Sequence, residues 1–88
     1  MLNYYYSDTI EQFLAKSTQE IIGFISLANQ FDSNRNQNQS WEQQIPLLKK
    51  ALEGFKGMLF LEFSIPRMGK RVDCLLIIQD IVLLLSLR

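Results

Sequence analysis

The chain has 88 residues, of which 48% are apolar and 20% charged, enough for one small core and too few for two. Nine basic and nine acidic residues cancel, so no whole-chain field draws it to nucleic acid or to an anionic membrane, and such contact would need a local patch. The absence of histidine and the single cysteine argue against a zinc site and a histidine-based nucleophilic triad.

The N-terminus, Met1 to Ser7, has neither the basic region nor the apolar core of a signal peptide, so a cytoplasmic protein is expected. Asp8 with Glu11, and Ser17 with Glu20, are spaced as capping boxes and predict two helix starts. Behind them Ile10, Phe13 and Leu14, then Ile21, Phe24, Ile25 and Ala28, recur at the spacing of one helical face, which Phe31 closes. Asp32 to Gln39, DSNRNQNQ, is wholly polar and reads as a loop. Ser40 with Gln43 gives a third capping box, followed at helical spacing by Trp41, Ile45, Leu48, Leu52 and Phe55. Pro46 requires this helix either to kink or to begin there. Gly54 and Gly57 end it.

After Gly57 the period becomes that of strands: MLFLEFSI, VDCLLII and IVLLLSLR, separated by PRMGKR and by Gln79-Asp80, predict an antiparallel meander. Leucine runs also suit helices, so the last strand carries the weakest signal. The stretch Leu75 to Leu87 is interrupted by Gln79 and Asp80 and falls short of the roughly 20 apolar residues of a membrane span. Alternation puts Leu75 and Ile77 on one sheet face and Val72, Cys74, Leu76 and Ile78 on the other, so both faces call for cover. The N-terminal helices supply one layer. Nothing follows Arg88 to supply the second, which implies either a fragment or a partner that covers the bare face.

If Gln79 and Asp80 form a two-residue turn, Ile78 pairs with Ile81 and counting outward sets Asp73 opposite Ser86, with Arg88 two residues along the same face. Whether Glu62 shares that face depends on a register open to one residue. Arg67, Lys70 and Arg71 form a basic turn that could meet phosphates or could simply be solvated. Gly69 permits a tight turn; the spacing and Lys-Ser/Thr of a P-loop are missing. Tyr4, Tyr5, Tyr6 and Trp41 read as packing aromatics rather than base-stacking ones, and Cys74 as a buried thiol without a basic partner.

The run FLEFSIPRMGKRVDCLLIIQDIVLLLSLR, with YYYSDTIEQFL and the segment from Phe31 to Trp41, resembles the N-terminal nuclease-like region of a prokaryotic family of uncharacterised proteins in which a helicase-like ATPase domain follows. The likeness covers most of the chain, and IPRMGKRVD is its most specific part. It implies a restriction-endonuclease-like fold of the PD-(D/E)xK type, with an acid on the second strand and a Glu-x-Lys on the third that bind magnesium and orient water. Asp73 matches the first acid. Ser86-Leu87-Arg88 stands where the family pattern has Glu-Phe-Lys, and serine supplies neither charge nor affinity for magnesium. Arginine cannot deprotonate near neutrality and replaces a compact ammonium poorly.

The sequence therefore predicts a single α/β (α+β) domain over residues 1–88, truncated and nuclease-like. N-terminal helices (8–56) pack on a three-stranded antiparallel meander (58–88), a partial restriction-endonuclease-like core. Glu62, Asp73, Ser86 and Arg88 form its degenerate site, and Arg67, Lys70 and Arg71 a weak nucleic-acid contact. No metal ligand set and no cofactor are expected, magnesium entering only with residual nuclease activity. The expected function is catalytically silent association with nucleic acid or protein. Its alternatives are a small self-associating interaction module, a homo-oligomer or partner covering the exposed sheet face, or a gene remnant without selected function.

Overall fold

Three helices and four strands follow one another along the chain in a computed structural model that describes residues 3–31 and 40–86. In order they are β1 (Tyr6–Thr9), α1 (Ile10–Ala15), α2 (Thr18–Phe31), α3 (Trp41–Ala51), β2 (Met58–Ile65), β3 (Lys70–Ile78) and β4 (Ile81–Leu85). The expected polar loop from Asp32 to Gln39, and Leu87 and Arg88 of the last expected strand, lie outside the described residues.

The helix starts follow the capping chemistry with one shift. Thr9, not Asp8, caps α1: its Oγ1 accepts from the Gln12 N–H at 3.1 Å, because Asp8 is still part of β1 and accepts from the Thr9 N–H at 2.9 Å. Ser17 accepts from the Glu20 N–H at 3.1 Å at the head of α2, as the spacing predicts. Ser40 precedes α3 without a side-chain cap bond. Its carbonyl takes the Gln43 and Gln44 N–H groups instead, each at 3.1 Å. Pro46 lies on the exposed side of α3, and the helix starts ahead of it at Trp41 and runs through it. Phe55, expected on the buried stripe, is half exposed because the helix ends before reaching it. Phe24 is likewise about half exposed, its ring centroid 5.8 Å from that of Tyr6.

The sheet has four antiparallel strands in the order β1-β2-β3-β4, one more than the predicted meander. The missed strand is β1. Its signal was hidden because Ser7-Asp8-Thr9 reads locally as a cap, whereas pairing with β2 satisfies its backbone: Tyr6 stands opposite Leu61 and Thr9 opposite Met58. Gly57 makes that junction possible, since its carbonyl accepts from the Ile10 N–H at 2.9 Å and any Cβ there would collide with the Ile77 carbonyl oxygen. Between β3 and β4 the two-residue turn forms as counted, with Ile78 opposite Ile81 and Gln79 at φ 56°.

One face of this sheet carries the core. Leu59, Leu61, Cys74 and Leu76 are buried against Ile10, Phe13, Ile21, Ile25, Trp41, Ile45, Leu48 and Leu52 of the helices, with Tyr5 and Tyr6 beside them. Lys49 locks the layer from α3 by donating to the Phe13, Leu14 and Lys16 carbonyls, the first two at 2.9 and 3.3 Å. These are the unpaired carbonyls at the end of α1, where a cation also meets the negative end of the helix dipole. The other face, by alternation, presents Met58, Phe60, Leu75, Ile77, Val82 and Leu84. Among the described residues no helix lies over it, and no helix is long and apolar enough to cross a membrane.

Asp8 ties β1 to the end of α1, accepting from the Tyr6 hydroxyl at 2.7 Å and the Lys16 ammonium at 2.5 Å. Burial alone would raise its pKa, but hydrogen bonds from Lys16, Tyr6 and the Thr9 N–H, with the Lys16 charge, outweigh this and hold the carboxyl below its ordinary value. A depressed folded pKa means stabilisation that is complete above the ordinary carboxylate value of about 4 and lost as pH falls through the folded value. Urea midpoints measured from pH 7 downward should therefore fall through the acid range. Asp8→Asn should cost about 0.5–1 kcal/mol at pH 7 and flatten that fall; parallel curves for the two proteins would place the acid loss elsewhere.

Candidate functional site

The register of β2 and β3 brings together the two acids singled out in the sequence. Leu61 stands opposite Cys74 and Phe63 opposite Val72, so Glu62 and Asp73 occupy the facing positions between these pairs. Both are buried, at 5% and 7% exposure. The β2–β3 register is thereby set, while the backbone at Glu62 breaks the alternation that would place its side chain on the face of Asp73.

Glu62 departs from strand geometry, with φ at 55° in the left-handed region, a conformation that a bulky residue keeps only when its surroundings hold it. Two contacts do so here. The Trp41 indole N–H, from the first turn of α3, donates to Glu62 Oε2 at 3.2 Å. Arg71 Nη1 donates to the Glu62 carbonyl at 2.8 Å, and the same guanidinium lies 4.7 Å from the Tyr5 ring centroid. Tyr5 in turn donates from its hydroxyl to Asn29 Oδ1 at 3.2 Å, reaching α2. The twist at Glu62 also brings Phe63 beside Phe60, ring centroids 5.7 Å apart, although residues three apart on a regular strand face opposite ways. Tyr4 joins them edge-on, 5.5 Å from Phe60.

The remaining predicted residues separate. Ser86 is exposed and lies one residue past the last pair, Cys74 with Leu85, outside β4. Arg88 lies outside the described residues. Arg67 and Lys70 stand exposed at the β2–β3 turn, where Arg67 and Gly69 both take positive φ, while Arg71 is drawn away from them to Glu62 and Tyr5. Cys74 is fully buried, its thiol pushed up to about 12 by burial and by the charge of Asp73, which makes it a core atom rather than a nucleophile.

Magnesium is a hard cation that takes six oxygens and keeps several waters. Glu62 accepts an indole N–H beneath α3, Ser86 brings no charge, and among the described residues no group of three or more acidic, cysteine or histidine side chains converges. A separate open recess of about 270 Å³ is lined by Tyr4, Tyr5, Tyr6, Ser7, Asp8, Lys16 and Phe24. Its polar groups Tyr6, Asp8 and Lys16 bond to one another, which lowers its value as a ligand site. Trp41, Tyr5 and Asn29 as polar partners escaped the sequence reading; a tryptophan at a helix start signals packing, and nothing local says which acid its N–H will meet.

No protein-family model, curated protein or solved structure matches this chain. Trp41→Phe keeps the ring and removes only the donor to Glu62, so it should lower stability by about 1–3 kcal/mol in urea unfolding. The loss should shrink by at least about 0.5 kcal/mol in a Glu62→Leu background. Additive losses would mean that the indole contributes by packing alone.

Proposed function

We propose that this chain is an association module, and the observation that carries the reading is its one-sided sheet. Helices bury one face, while the other presents half-buried Phe60 and Ile77 and exposed Val82 and Leu84 around the buried Leu75, with no helix over it among the described residues. On β4, Ile81, Val82, Leu83 and Leu84 are 41–57% exposed. Contiguous apolar surface of this kind is costly to leave in water and marks a site where another surface docks. Sedimentation velocity over a concentration series should give a species larger than a monomer that grows with concentration. An exposed-surface dye should bind the free chain. A monomer at every concentration that binds no dye would end this reading.

A second reading is supported by the facing positions of Glu62 and Asp73 and by a register that, extended one residue past β4, would set Ser86 opposite Asp73. It holds that the β2–β3–β4 meander is a restriction-endonuclease-like core whose chemistry has lapsed, consistent with the resemblance noted above. The two readings are compatible, because a scaffold without its metal ligands can keep its surfaces. Residual nucleic-acid contact would rest on Arg67 and Lys70 alone, since Arg71 is engaged with Glu62 and Tyr5. Incubation with magnesium or manganese and single- or double-stranded DNA should leave the DNA intact. Cleavage that disappears in Asp73→Ala would restore an active nuclease.

A further inference from the structure

We propose that β4 of one copy pairs antiparallel with β4 of a second copy about a two-fold axis at Leu83, joining two four-stranded sheets into one; the proposal rests on the association reading above and names its partner. Three observations carry it.

The first is the backbone itself. Across a two-residue turn the flanking pair Ile78 and Ile81 exchanges both hydrogen bonds, and hydrogen-bonded and open pairs then alternate. Ile81, Leu83 and Leu85 therefore point their N–H and C=O groups inward to β3, and Val82 and Leu84 point theirs outward. With the axis at Leu83 the five-residue strand overlaps itself fully. Val82 of one copy then meets Leu84 of the other, twice over, for about four new hydrogen bonds.

The second is what the edge lacks. From Ile81 to Ser86 there is no charged residue and no proline, the usual devices that keep a sheet edge from pairing. The opposite edge is guarded: β1 is only four residues long, carries Ser7, Asp8 and Thr9, and runs straight into α1. A β4-to-β1 contact would also propagate without closing, whereas β4 against β4 closes at two.

The third is charge. Antiparallel pairing in this register sets each Asp80 across from Ser86 of the other copy, acid against hydroxyl. Parallel pairing would set Asp80 against Asp80, a like-charge contact that destabilises cross-strand pairs.

The test uses the full chain. The wild type should sediment as a dimer. Leu84→Pro, which removes an outward N–H and none that serves β3, should be monomeric with an unchanged circular-dichroism spectrum; Leu84→Lys should behave likewise if the proline variant does not fold. In the proposed register the Leu83→Cys thiols face each other at an open pair, Cα atoms about 4.5 Å apart, within disulfide reach. Mild oxidation should link most of that variant covalently and little of Val82→Cys, while Cys74 stays buried and unreactive. A dimer that survives Leu84→Pro and Leu84→Lys but is lost in Ile77→Lys would overturn edge pairing and leave association through the bare face standing. Linking by Leu84→Cys in place of Leu83→Cys would overturn the register. Open-ended aggregates without a discrete dimer would overturn the closed pair, and a dye-free monomer would remove both this proposal and the association reading.

Discussion

The fold depends on the register of β2. Leu59 and Leu61, both fully buried, lie under the helices and are flanked by β1 on one side and β3 on the other. A slip of one residue against β3 would turn the apolar inward set to the outer face. Every other feature follows from this alignment: Tyr6 beside Leu61 closes the first edge, Cys74 and Leu76 complete the inner face, and Glu62 is brought against Asp73.

That last consequence is costly, because two carboxylates are taken from water within one pair of strands. The chain offsets it with oriented donors rather than with a metal-ready opening. Trp41 serves the Glu62 carboxylate, Arg71 serves its carbonyl, and the left-handed backbone at Glu62 makes both contacts compatible with continued pairing. Glu62, one of the acids that suggest hydrolytic chemistry in the sequence, thus joins α3 to the sheet through Trp41.

The helices reach only part of the sheet. α1 is six residues long and is held at its end by Lys49, and the layer it forms with α2 and α3 gathers around β1, β2 and the inner residues of β3. Apart from Leu85, β4 lies beyond that cover, which is why Ile81 to Leu84 remain in solvent. Its exposure reflects the geometry of the cover rather than a weak strand signal. Association and the stability of β4 are on this view the same problem.

Much of this was legible in the residues. The three helices, the change to strand period after Gly57, the Ile78–Ile81 turn and the bare second face all arise from local preferences and alternation, which act over a few positions. β1 was not legible, because Tyr6 to Thr9 becomes a strand only when β2, some fifty residues later, supplies its hydrogen-bond partners. Nor were the positive φ of Glu62, the Trp41 and Arg71 contacts that hold it, or the separation of Arg71 from the basic turn. The sequence by itself determined which segments would be helix or strand and which faces would be apolar, since those are short-range properties. Only the tertiary structure decided which acid would be paired with which donor and which strand would be left uncovered, since both depend on where distant elements come to rest.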